Sequence, residues 1–203
     1  MANADTPFGL RAVGHPLGLS KASVRAYHVP ASYGTALFPG DPVTISGTAN
    51  TAEVSAPGVG TMPIGALPDV VKSTAGSGNR ISGVIVSVAA DPDALGRRYI
   101  PASTGGVVFV NDDPATEFEI QSDAALAAAD VGLNAALVYT NAGDANTGQS
   151  GAELDASTKA TTAGLQLRIK RIVPRVDNEA GASEVKAIVT INQHTSLIGS
   201  AGI

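Results

Sequence analysis

Few residues in this chain are of types that do chemistry, and their spacing rarely suits it. The three histidines are His15, His28 and His194. They lie far apart and show no His-x-x-x-His spacing, so each reads as a structural or surface histidine rather than a metal ligand. There is no cysteine, hence no thiolate nucleophile and no disulfide framework. Serines sit mostly in loops, and no Gly-x-Ser-x-Gly nucleophile elbow occurs. The segment AGSGNRISG (75–83) has the glycines of a phosphate cradle but leads into a strand, so it reads as a turn.

Two acidic stretches merit weighing. In DANTGQSGAELD, Asp144, Asn146, Gly148, Ser150 and Asp155 fall at the first, third, fifth, seventh and twelfth positions of a calcium loop. Gln149 replaces the glycine needed at the sixth, and no helices flank the run, so a solvated loop is expected. In NDDPATEFE (111–119), Glu117 and Glu119 alternate onto one strand face. Paired carboxylates can do acid/base work, but an ordinary solvated face is the expectation. The basic residues Arg97, Arg98, Arg168, Lys170, Arg171 and Arg175 stand near turns or on the polar face of a hairpin. In a chain of net charge −5 they suit an acidic partner surface, or simple solubility.

The elements that carry these residues read as strands. The 203 residues suffice for one domain with a buried core. With 23 Gly, 12 Pro, no Trp and 4% aromatics, the composition implies thin β layers joined by many turns. Only 15% of residues are charged, which disfavours direct nucleic-acid binding. No run approaches the ~18 apolar residues of a membrane span. The N-terminus lacks a basic segment followed by an apolar run, so a secretory leader is not expected.

Residues 1–22 place Phe8, Leu10, Val13, Leu17 and Leu19 between Pro7, Gly9, Gly14, Pro16 and Gly18. That pattern predicts an extended arm with apolar anchors, or a frayed terminus. A single β domain is expected over 23–203. Strands are predicted in SVRAYHVP, ALFPGDPVTIS, RISGVIVSVAA, RRYIPAS, GGVVFVND, TEFEIQS and AALVYT. RISGVIVSVAA reads as central, with Gly83 at a bulge or close approach. TMPIGALPDVVK, with three breakers, reads as an edge or irregular strand. SDAALAAADVGLN predicts one short helix, capped by Ser122 or Asp123 and ended by Gly132. Residues 47–60 and 141–163 read as polar loops. A C-terminal hairpin over 165–192 has Leu165, Leu167 and Ile169 on one face and Gln166, Arg168 and Lys170 on the other. Its return strand turns Val185, Ala187, Val189 and Ile191 to the core. The whole is an all-β fold with at most one or two short helices: a small barrel, tulip-like, or a jelly-roll sandwich, preceded by an arm. No strand-helix-strand alternation supports a parallel nucleotide-binding sheet.

The phrases MANADTPFGLRAVGH, YHVPASYGTALFPGDPV, RRYIPASTGGVVFVNDDPATEFEIQSD, ADVGLNAAL and RIVPRVDNEAGASEVKAIVTINQHTS resemble a family of tailed-bacteriophage virion proteins. The resemblance spans most of the chain and leaves out the loops at 47–60 and 141–163. It implies a capsid decoration, or cement, protein with no catalysis and no cofactor. Such a protein is made in the host bacterial cytoplasm and sits on the outer capsid surface of the virion. Its partners are the major capsid protein and sister copies, as a homotrimer or a dimer, with no membrane contact. The contacts expected on this reading are Phe8, Leu10 and Arg11 in the arm, with the six basic residues named above. The alternative is a virion-surface module that binds a host surface or glycan, which needs exposed aromatic platforms in a chain with few aromatics.

Overall fold

The computed structural model of the protein describes residues 3–197 and Gly202. The start of the expected arm at 1–2, and residues 198–201 and 203 of the expected domain, lie outside the described residues. In chain order the strands are β1 (Arg11–Gly14), β2 (Val24–Val29), β3 (Pro42–Ala49), β4 (Val54–Ala56), β5 (Gly60–Met62) and β6 (Pro68–Lys72). Then follow β7 (Gly83–Val88), β8 (Gly106–Asn111), β9 (Glu117–Gln121), β10 (Asn134–Val138), β11 (Glu153–Ala160), β12 (Leu167–Ile172) and β13 (Lys186–Ile191). The fold is all-β.

Five strands close a small barrel in the order β2-β6-β3-β7-β8. Its neighbours are antiparallel except β2 and β6, which run parallel where His28 lies beside Asp69. Tyr27, Val29, Leu37, Val43, Val70, Ile85, Ile100, Val108 and Val110 fill the interior. Tyr27 and Val29 turn inward from β2 because alternate residues share a face, which leaves Ala26 and His28 outside. Gly83 opens β7 at a close approach: a Cβ there would lie 2.5 Å from the Asn111 carbonyl oxygen. The bulge on this strand falls further along, between Ile85 and Ser87.

The other strands form an antiparallel sheet ordered β1-β9-β13-β12-β10-β11, apart from the β4–β5 ribbon. This sheet curls until β11 meets the chain just beyond β9. The Asp123 amide donates to the Leu154 carbonyl at 3.1 Å, and the Ala156 amide donates to Asp123 Oδ1 at 2.8 Å. The enclosed core holds Phe118, Ile120, Leu126, Leu137, Leu154, Leu167, Ile169, Val185, Ala187, Val189 and Ile191, joined by Leu10 from the N-terminal segment. Ile81 and Val84 reach this core from the barrel side. The Ile81 amide donates to the Gln193 carbonyl at 2.8 Å, and the Thr195 amide donates back to Ile81 at 3.0 Å.

The structure corrects several expectations about elements. The helix expected in Ser122–Asn134 is only a 3-10 turn at Ala128–Asp130. Its caps are spent elsewhere: Asp123 serves Ala156, and the Ser122 hydroxyl bonds the carbonyls of Ala124 and Val185. Tertiary pairing overrides the helix propensity of the alanines. The loop expected at 141–163 contains β11, with Leu154 and Ala156 in the core. TMPIGALPDVVK does not end at an edge, because β6 lies between β2 and β3 in the closed barrel. Pro68 is its first residue, where no ladder donor is missed. RRYIPAS is no strand; only Ile100 bridges, to Leu37. Gln166, expected on a polar face, is buried and takes the amides of Gly76 and Leu137 on Oε1.

Candidate functional site

Chain residues 3–14, expected as an arm, lie along the protein's own sheets. Asn3 Nδ2 donates to the Ser183 carbonyl at 2.8 Å, and Asn3 Oδ1 accepts from the Glu179 amide. The Thr6 amide donates to Gln121, and the Leu10 amide to Gly40. Next β1 pairs with β9, with Arg11 opposite Glu119.

That pairing gathers three of the expected contact residues onto β9. Arg11 Nη2 lies 2.6 Å from Glu119 Oε2, and Arg175 Nη2 lies 2.8 Å from Glu119 Oε1. Arg171 meets Glu117 at 3.2 Å. Glu119 is 4% exposed, so the solvated carboxylate face expected of NDDPATEFE is instead an intramolecular ladder of ion pairs. A bulge between Ile169 and Arg171 turns both Lys170 and Arg171 outward, which is how Arg171 reaches it. The Arg11 guanidinium also lies 5.0 Å above the Phe8 ring.

The remaining expected residues are dispersed. Phe8 is half-buried, and Leu10 is 2% exposed inside the core. Arg97 pairs with Asp91 at 3.1 Å, while Arg98 is exposed beneath the turn at Gly148. Arg168 Nε donates to Asn134 Oδ1 at 3.1 Å, and Lys170 is exposed. The tip of the hairpin is pinned by buried Asn178, whose amide bridges the carbonyls of Val173 and Lys186. Val176 stands out fully into solvent.

The surface best suited to contact is the shoulder at residues 13–24. Val13, Leu17, Leu19 and Val24 are 38%, 77%, 45% and 50% exposed within this short stretch. It adjoins β1, the outermost strand of its sheet among the described residues. Exposed aliphatics beside an outermost strand form a surface that gains by being covered. The shoulder is anchored from below. His15 Nε2 lies 3.2 Å from Asp113 Oδ2, and Arg25 lies 3.4 Å from Asp112 Oδ2. The Tyr27 hydroxyl donates to the same Asp112 oxygen at 2.9 Å. Burial and this carboxylate push the Tyr27 phenol up to about 12. His194, buried nearby beside Ser82, is held below the usual histidine range by burial.

Two further groupings were hidden in the sequence because their members are far apart. Asp5, Glu153 and Glu184 bring carboxylate oxygens within 4.8 Å of one another, a spacing cation ligands adopt. The Gln121 amide nitrogen already sits among them, at 3.0, 3.2 and 3.0 Å from Asp5, Glu153 and Glu184. Glu153 and Glu184 are each raised above the usual carboxylate range, first by burial. On the outer barrel wall, His28 Nδ1 lies 2.6 Å from Asp69 Oδ1, and Thr48 donates to Asp69 Oδ2 at 2.7 Å. The calcium-like run instead folds as a tight turn, with the Asp144 amide donating to Gln149.

No family model, curated protein or solved structure matches this chain.

Proposed function

We propose that this protein is a structural component of a virion. In this reading it decorates the outside of a tailed-phage capsid and cements neighbouring major capsid subunits, by contact and without catalysis or cofactor. The sequence phrases that resemble such proteins support the reading. The observation that carries it is the shoulder: four exposed aliphatic side chains within residues 13–24, beside β1, the outermost strand of its sheet among the described residues.

A cement protein gains from many modest contacts engaged at once. A homotrimer or dimer that touches several capsid subunits converts each weak contact into an intramolecular one. An open strand edge supplies main-chain hydrogen bonds to a neighbouring chain, and flanking aliphatics supply apolar area. The ion-pair ladder on β9 holds β1 in place and so presents that edge.

The test is cosedimentation with capsids lacking the protein. Removing residues 1–22 is a poor probe, because it strips β1 from its sheet and Leu10 from the core. Leu17→Asp combined with Leu19→Asp alters only exposed side chains. Wild type is expected to sediment with capsids and the double variant to remain in the supernatant, with unchanged thermal unfolding. Equal capsid occupancy by both, or no binding by wild type, refutes the proposal.

A further inference from the structure

A cleft of about 380 Å³ lies against the outer barrel wall, away from the shoulder. Its sides are the β4–β5 ribbon and the loops at 89–92 and 97–106. His28 lines it. The buried Asp69 carboxylate accepts from Nδ1, which leaves His28 Nε2 for the cleft. Asp69 is itself fixed by Thr48, so the imidazole plane is set before any ligand arrives. Tyr99, the Asp91–Arg97 ion pair and Glu53 line the same cleft. One face of Tyr99 is stacked on Phe38, with centroids 4.8 Å apart and planes within 13°. Ser103, just outside, holds a left-handed backbone at φ 56, a strain uncommon for a residue other than glycine.

We infer that this cleft binds a neutral saccharide, with a pyranose ring packed on the open face of Tyr99 and its hydroxyls shared among His28, Glu53 and the Asp91–Arg97 pair. The charges select against simpler ligands. An anion would meet Glu53 and Asp91, and a cation would meet Arg97. A hydroxyl both donates and accepts, so it satisfies a carboxylate, a guanidinium and an imidazole nitrogen together. The aromatic face covers the apolar C–H face of the ring. The volume falls within the range of small-molecule clefts, about 300–1,000 Å³. The scarcity of aromatics argues at sequence level against a glycan-binding module, yet one tyrosine held rigid by a stacked phenylalanine provides the platform. The site is separate from the capsid-contact reading and neither depends on the other.

The experiment is saturation-transfer NMR on the full chain, with methyl α-glucopyranoside, methyl β-galactopyranoside and N-acetylglucosamine as probes and sorbitol as an acyclic control. At least one ring sugar is expected to take up saturation, and sorbitol is not. Tyr99→Leu and His28→Gln are each expected to weaken binding about tenfold. Because Tyr99→Leu also removes the stack on Phe38, Glu53→Gln at an exposed position serves as the variant that leaves the fold untouched, with a similar loss expected. No transfer to any of the three sugars, or transfer indifferent to all three variants, overturns the inference. Capsid cosedimentation is expected to be unchanged in Glu53→Gln.

Discussion

Lys72 Nζ lies 2.8 Å from Asp41 Oδ1, a carboxylate with no exposed surface at the seam between the barrel and the curled sheet. Ser150, from beyond the barrel, donates to the same oxygen at 2.6 Å, and the Phe38 amide donates to the other at 2.8 Å. The Lys72 ammonium also lies 4.6 Å above the ring of Tyr139, whose hydroxyl donates to Ser73. Two β units are thus joined through one buried charge. Leaving such a charge unpaired costs about 3–5 kcal/mol. Lys72→Met is expected to lower unfolding free energy by about that amount in urea melts. Adding Asp41→Asn is expected to restore part of the loss, because no charge then remains buried. A double variant as unstable as the sum of the singles would show the pair to be uncoupled.

Glu119→Gln tests the ladder that holds β1. Its partners Arg11 and Arg175 are more than a third exposed, so water screens much of each pair. A global loss of about 1–2 kcal/mol is expected, since hydrogen bonds to a charged group are worth somewhat more than neutral ones. The local effect should be larger. Amide exchange in Arg11–Gly14 is expected to accelerate strongly while β12 and β13 stay protected. Uniform acceleration across the sheet would mean that Glu119 does not secure β1 in particular.

What was legible in the sequence follows from side-chain contrast. β12 alternates large aliphatics with charged residues, so its inward face could be read directly: Leu167 lies opposite Ile191 and Ile169 opposite Val189, while the bulge that shifts the register after Ile169 left no such mark. β11 was missed because its inward residues include only one large aliphatic. Ala152, Leu154 and Ala156 do alternate with Glu153, Asp155 and Ser157, but alanine carries little contrast. The ladder was half legible: Glu117 and Glu119 share a face by period, yet nothing local says that Arg11 and Arg175 converge on it. The cleft was invisible because His28 and Asp69 meet only through barrel closure, in the parallel pairing of β2 with β6.

The carboxylates around Gln121 give a pH dependence of unusual sign. Glu184 is raised above the usual carboxylate range by burial and by the charge of Asp5, and Glu153 is raised chiefly by burial. A carboxyl whose folded value lies above its unfolded one binds protons more readily when folded. Its contribution to stability is therefore complete at low pH and is lost as pH rises through the folded value. Asp113 and Asp130 are shifted downward and act in the opposite sense, so the total curve mixes both signs. The difference between wild type and Glu184→Gln isolates the cluster. The variant is expected to melt higher at neutral pH, and the gap is expected to close on acidification into the carboxylate range. A gap that stays constant with pH would remove the carboxylate cluster as its source.

Barrel closure between β7 and β8 depends on one missing methyl group. A Cβ on Gly83 would lie 2.5 Å from the Asn111 carbonyl oxygen and 2.6 Å from Val110 Cγ1. The first of these is backbone inside a ladder and cannot swing aside. Crowding of this kind costs about 1–3 kcal/mol when the surroundings relax in part, and Gly83→Ala is expected at the upper end. Gly34→Ala is the matched control. Nothing lies within 4 Å of a Cβ there, and its φ lies outside the left-handed region. That change restricts the unfolded chain and is expected to be neutral or to stabilise by up to about 1 kcal/mol. Paired denaturant melts read both. Equal effects at the two sites would show that the cost at Gly83 arises from losing glycine itself and not from the approach of β8, because only Gly83 faces a neighbouring strand.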